Sequence, residues 1–256
     1  DGLLKKAKGE VDVRYIGTVN KRALPWYQKT SRPLKIGASI GHFKITAGTL
    51  GGFVRDRGDG RIFMLSNNHV FANENRARVG DAILQPGRFD GGNDPGDRVG
   101  TLARFVRLKK ARPNAVDSAV AAIEPDIDFD ARSLTGIGKL VGLGDAMLDD
   151  GDLVRKVGRT TGVTDGRVTA FELDNVMVAY DIGTIRFDDQ IEIEGAGSEA
   201  FSQGGDSGSL IVNGQRRAVA QLFAGGDVGG ANGKGLTYAT PIHAVLDALK
   251  VDLYTG

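Results

Sequence analysis

Three polar side chains, far apart in the chain, are of the types that together perform nucleophilic chemistry. Ser207 stands in Phe201-Ser202-Gln203-Gly204-Gly205-Asp206-Ser207-Gly208-Ser209-Leu210. The neighbouring glycines and the apolar run Leu210-Ile211-Val212 place its hydroxyl on a tight turn that leads into a strand. Small neighbours let a carbonyl group approach and let backbone N–H groups converge where an oxyanion would develop. The N–H groups of Gly205 and Ser207 are assigned that role. A hydroxyl is a weak nucleophile near neutral pH until a base takes its proton. The chain has three histidines, His42, His69 and His243. His69 sits on the polar turn Ser66-Asn67-Asn68-His69, directly after the apolar run 62–65, and is the expected base; His42 and His243 read as structural. Asp117, in Val116-Asp117-Ser118-Ala119-Val120, is a carboxylate at the head of an apolar run. It is suited to hold an imidazole by its Nδ1–H and to stabilise the imidazolium.

Something must bring these groups together. Short β-type runs alternate with glycine-rich turns over 43–50, 52–55, 62–65, 116–123, 153–157, 167–172, 175–180, 190–194, 209–212 and 219–223. The pattern predicts an all-β barrel or sandwich. Pro241 followed by Ile242, Val245, Leu246 and Leu249 at helical spacing predicts a C-terminal helix over 241–250. A connector over 126–144 divides the strand-rich region into two halves of similar length. The expected organisation is an N-terminal extension (1–34), a first barrel with His69 and Asp117 (35–135), a second barrel with Ser207 (136–240), and a C-terminal helix and tail (241–256).

The order His69, Asp117, Ser207 is that of the chymotrypsin group. Gly205-Asp206-Ser207-Gly208 and Asp117-Ser118-Ala119-Val120 resemble that group's serine and aspartate motifs. Ser66-Asn67-Asn68-His69 departs from the commoner Thr-Ala-Ala-His, and Ser209 replaces a glycine. From about residue 35 to 249 the chain resembles a cysteine-free bacterial trypsin-like serine peptidase. The resemblance implies two perpendicular six-stranded antiparallel β-barrels with the site between them, and serine endopeptidase activity through an acyl-enzyme on Ser207. It implies a specificity pocket near Phe201, Phe223, Ala224, Gly225 and Gly226 and an ion pair for Asp206, with Arg159 or Arg155 as the cation. Phe201 is not acidic, so the pocket is expected to take apolar or small side chains, with Asp227 as an alternative source of charge.

Composition narrows the classes further. With 33 basic and 32 acidic residues the net charge is +1, and nothing points to nucleic acid or a membrane surface as partner; the expected partner is a polypeptide substrate. There are no cysteines, which excludes disulfides, zinc–thiolate centres and a thiol nucleophile. No cofactor or metal is expected. The oxygen-rich segment 90–97 lacks the spacing of a calcium loop, and Gly136-Ile137-Gly138 lacks a dinucleotide setting. The chain shows no signal peptide and no spanning apolar run, which leaves a cytoplasmic and a secreted bacterial location both open. The rival readings are a binding protein on a protease fold, an esterase, and a protease selective for one partner.

Overall fold

The computed structural model describes residues 14, 15, 17, 18 and 23–256. Most of the expected N-terminal extension therefore lies outside the described residues. From Leu34 onward the chain is strand-rich. The first half supplies β1 (Ser39–His42), β2 (Gly48–Thr49), β3 (Gly52–Asp56), β4 (Ile62–Ser66), β5 (Ala82–Leu84), β6 (Arg98–Phe105) and β7 (Ala119–Ile123), with a one-turn helix α1 (Asn68–Phe71) after β4. The second half supplies β8 (Leu153–Gly158), β9 (Gly162–Leu173), β10 (Val176–Tyr180), β11 (Gly183–Phe187), β12 (Gln190–Gly195), β13 (Leu210–Asn213), β14 (Arg217–Gly225) and β15 (Leu236–Pro241). Helix α2 (Ile242–Leu249) and β16 (Val251–Tyr254) follow.

In the second half the ladder runs β14-β13-β8-β9-β12-β15, and β14 also pairs with β15, so six antiparallel strands close into a barrel. Closure leaves no free edge among these strands. The first half is an eight-stranded sheet in the order β16-β3-β4-β7-β6-β5-β1-β2, whose end strands β16 and β2 are not paired with each other. It is an open half-barrel, completed at one end by a strand from the C-terminus.

Burial alternates along β9, whereas β13 and β14 are buried on both faces. Val154, Val168, Ile193, Phe201, Ile211 and Ala220 point inward and fill the barrel. A larger cluster lies under the first sheet and runs across to the barrel wall, joining Phe53, Leu65 and Val70 to Val157, Leu210 and Val245. Side chains of this kind stabilise by roughly 1.5–3 kcal/mol each when fully buried, so the two halves share much of their stability. Helix α2 follows the N-cap Pro241 and buries Ile242, Val245, Leu246 and Leu249. Lys250, at φ 55°, turns the chain out of the helix into β16, which pairs antiparallel with β3.

Two sequence expectations change here. The run 43–50 is not one strand: Ile45 N–H donates to His42 O, and a turn separates β1 from β2. Strands β1, β5, β6, β11, β15 and β16 were not expected. Among the described residues no helix is long and apolar enough to cross a membrane.

Candidate active site

β4 is a central strand, and its end delivers the chain into Asn67 and helix α1, which carries His69. The neighbouring strand β7 begins at Ala119, and Asp117 lies just before it. The pairing of Ser66 with Ala119 therefore sets histidine and aspartate side by side. His69 Nδ1 is 2.6 Å from Asp117 Oδ2, and the His69 backbone N–H donates to Oδ1 at 3.2 Å. The Asp117 side chain is fully buried, whereas that of His69 is 22% exposed. A buried carboxylate requires donors, and Asp117 has a third: the Tyr180 hydroxyl, 2.6 Å from Oδ2.

The unusual asparagines before His69 have work of their own. Asn67 Nδ2 donates to the Asp117 backbone carbonyl at 2.7 Å. Asn68 Nδ2 donates to Val106 O at 2.7 Å and to Asn75 Oδ1 at 2.9 Å, while Asn68 Oδ1 accepts the Asn75 N–H. They tether the start of the helical turn to the Asp117 segment, to Val106 and to the Asn75 loop, where alanines would rely on packing alone.

Ser207 reaches this region from the barrel side. Its carbonyl accepts the Thr49 N–H at 2.8 Å, and Thr49 Oγ1 donates to Gly205 O at 2.9 Å. Gly48 separates Val70 from Ser207: a Cβ there would lie 3.1 Å from the Ser207 carbonyl and press on the Val70 side chain. Gly208, at φ +98°, is equally constrained, because a Cβ would collide with Ser66 Oγ and Thr49 O. The serine turn is thus docked on the segments that carry His69. Among the described residues the Ser207 hydroxyl and His69 Nε2 form no hydrogen bond with each other or with any other group, so the structure brings His69 and Asp117 into contact and places Ser207 on the adjoining turn without that bond.

The N–H groups of Gly205 and Ser207 likewise donate to nothing among the described residues. Gly204 O accepts from Thr160 Oγ1 at 2.7 Å. A trans peptide points its N–H opposite to its C=O, so the Gly205 N–H faces away from Thr160. Ser209, in place of the expected glycine, donates its hydroxyl to Asp206 O at 2.6 Å.

The ion-pair expectation is corrected. The cation facing Asp206 is Lys156, with Nζ 3.3 Å from Oδ2 and both side chains at 0% exposure. Asp206 also accepts the N–H groups of Thr160, Thr161 and Gln203 and the Thr161 hydroxyl. Burial pushes the Lys156 ammonium below the usual lysine range, and Asp206 opposes that shift. Arg159 instead grips Asp90, Nε to Oδ2 at 2.7 Å and Nη2 to Oδ1 at 2.5 Å, and Arg155 pairs with Asp165 at 2.5 Å on the outside of the barrel. The reason is strand alternation: Lys156 shares the inward face of β8 with Val154, and Arg155 points the other way. A lysine in phase with inward valines was the available signal.

The pocket expectation is partly corrected. A cavity of about 190 Å³ opens beside Ser207, lined by Ser202, Gly204, Leu222, Ala224, Gly225, Gly226 and Asp227 among others. Phe201 and Phe223 do not line it. Phe201 fills the barrel interior, and Phe223 packs on Phe187 with ring centroids 4.7 Å apart. Each is one residue out of phase with a lining residue, Ser202 or Leu222 and Ala224.

The other histidines are accounted for. His42 is buried, facing Asp81 at 3.0 Å, and its Nδ1 accepts the Lys44 N–H. Burial lowers its pKa against the opposing pull of Asp81. His243 Nε2 lies 3.1 Å from Gly144 O. The carboxylates of segment 90–97 are taken by Arg159, Arg98 and Asn93, and among the described residues no group of three metal-binding side chains occurs.

No family model and no curated protein matches the chain. Solved structures do. The protease of Nocardiopsis (NAPase) is 18% identical with a TM-score of 0.61, over 88% of this chain and 100% of that one. Cellulomonas bogoriensis chymotrypsin is 20% identical with a TM-score of 0.59, over 87% and 99%. The alpha-lytic protease homolog N4 is 22% identical with a TM-score of 0.56, over 86% and 99%. With a closed six-stranded barrel beside a half-barrel sheet, and a histidine–aspartate pair and a glycine-flanked serine at their junction, the chain has the fold of the bacterial chymotrypsin-like serine proteases.

Proposed function

We propose that the protein is a serine endopeptidase. The observation that carries this reading is the His69–Asp117 bond: it commits Nδ1 as donor to a buried carboxylate and leaves Nε2 free to take a proton. Ser207 Oγ attacks the scissile carbonyl carbon while His69 Nε2 takes the hydroxyl proton. The N–H groups of Gly205 and Ser207 hold the resulting oxyanion. Collapse breaks the C–N bond, the imidazolium gives its proton to the leaving amine, and an ester to Ser207 remains. Water, deprotonated by His69, then releases the acid and restores the hydroxyl. A polypeptide is the substrate, its side chain seated in the cavity beside Ser207.

A fluorophosphonate probe tests this directly. The wild type is expected to label and Ser207→Ala to stay unlabelled, and a peptide library is expected to be cut by the wild type only. Absence of labelling and of cleavage in the folded wild type would leave a binding protein as the reading. Labelling with hydrolysis of esters but of no peptide would make it an esterase.

A further inference from the structure

Two donors converge on Asp117 Oδ2, and only one of them is the histidine. The Tyr180 hydroxyl and His69 Nδ1 both lie at 2.6 Å from that oxygen. The Tyr180 ring stands edge-on to the imidazole, with centroids 5.8 Å apart and planes at 64°. Tyr180 ends β10, on a hairpin of the second half, so this bond reaches across to the first half.

The hairpin is clamped in place. The turn after Tyr180 presents the N–H groups of Asp181 and Ile182, and Glu74 accepts both, at 3.1 and 3.0 Å. Glu74 belongs to the loop that leaves α1. Arg76 joins them, 3.3 Å from Glu74 and 3.2 Å from Asp181. Behind the ring lie Leu108, Ile185, Phe187 and Phe223. Burial, with Asp117 adding to it, pushes the Tyr180 phenol well above the usual tyrosine range, so the hydroxyl remains a donor at working pH.

We infer that Tyr180 is a positioning residue of the site: its hydroxyl shares the charge of Asp117 Oδ2 with His69, fixing the carboxylate and moderating its pull on the imidazolium. The inference rests on the peptidase reading for its kinetic readout and not for its geometry. A hydrogen bond to a charged form stabilises that form. Without the hydroxyl, more negative charge faces the imidazole, the imidazolium is favoured, and the active neutral form appears only at higher pH. The other charged groups beside the imidazole are Lys44, Glu74, Arg76 and Asp181, which border the same cleft and are unchanged by a substitution at Tyr180.

The test compares wild type with Tyr180→Phe, which keeps the ring. With a peptide nitroanilide, kcat is expected to fall about tenfold with KM unchanged, the size expected for one charged hydrogen bond. The acidic limb of the kcat/KM profile is expected to move up by about half a pH unit. The low-field proton NMR signal of the His69 Nδ1–H is expected to shift further downfield. An unmoved or lowered limb together with an unmoved signal would overturn the inference. The NMR signal needs no turnover: if the wild type cuts no substrate, the peptidase reading falls while the signal still decides the role of Tyr180. Should Tyr180→Phe fail to fold, Glu74→Ala, which frees the hairpin turn, is expected to move the same signal in the same direction, and no movement would overturn the inference.

Discussion

Lys156 lies against Asp206 inside the barrel, Nζ 3.3 Å from Oδ2, in a place that water does not reach. Asp206 directly precedes Ser207, so this lysine bears on the serine turn. Removing one partner of a buried pair costs roughly 3–5 kcal/mol, because the other charge is left uncompensated. Lys156→Met is expected to lose stability on that scale and to lose activity with it, and Lys156→Met/Asp206→Asn to recover part of the stability. Arg155→Ala, which removes an exposed pair, is expected to change stability by less than about 1 kcal/mol. Urea denaturation of the four proteins checks the order.

Gly208→Ala should separate folding from catalysis. The residue has φ +98°, and an added methyl group would run into Ser66 and Thr49. The strain of the backbone alone costs on the order of 1–2 kcal/mol. Relief requires the serine turn to move off β2, taking with it the Gly205 and Ser207 N–H groups proposed to hold the oxyanion. A loss of about 100-fold or more in kcat is expected, the scale of losing one oxyanion donor, with the far-ultraviolet circular dichroism spectrum retained.

The cavity beside Ser207 should admit small or apolar side chains. Asp227 is the acidic residue on its rim, and it is exposed to solvent. An exposed charge is screened and has little hold on a ligand. Asp227→Asn is therefore expected to alter the ratio of cleavage after lysine or arginine to cleavage after alanine by less than about threefold. A collapse of cleavage after basic residues in a library profile would assign Asp227 the deciding role instead.

Acid should loosen one wall of that cavity before the fold is lost. Glu194 is held below the usual carboxylate range by Arg167 and then by the Ala231 N–H, which anchors the loop running from Gly226 to Leu236. A lowered value in the folded chain means that this stabilisation is complete above the unfolded value, near pH 4.5, and is lost as pH falls through the folded one. Protection of the Ala231 amide, taken relative to its intrinsic exchange rate at each pH, is expected to fall as pH drops below about 4.5, and Glu194→Gln to remove that pH dependence.

The parts of this protein that were legible in its sequence are those where local chemistry is unambiguous. Val154, Ile193 and Ile211 sit in short β-type runs bounded by glycine-rich or polar turns, and Ile242 to Leu249 repeats at helical spacing. His69, Asp117 and Ser207, the proposed triad, are picked out on polar or glycine-rich segments beside such runs, and of these the structure joins His69 to Asp117. Strands β5 and β6 were hidden among charged turns, since β6 contains Arg98 and Arg104 in a half-buried pattern. Phase was the harder matter. Phe201 and Phe223 belong to the right segments, yet a one-residue offset turns them from the cavity into the core. Tyr180 could not be found, because nothing local to β10 tells that its hairpin crosses to the other half.

The chain leaves the first sheet after β7 and comes back to it in β16, beside β3. Two separate crossings therefore join the halves, one through the segment leading to β8 and one through α2. A swing of one half away from the other would need both to yield and β16 to peel from its neighbour. Entry of a bulky guest must then be governed by the surface loops around the groove, among them the clamped hairpin turn and the span anchored by Glu194, and grafting or shortening those loops is the route to changing what the groove accepts.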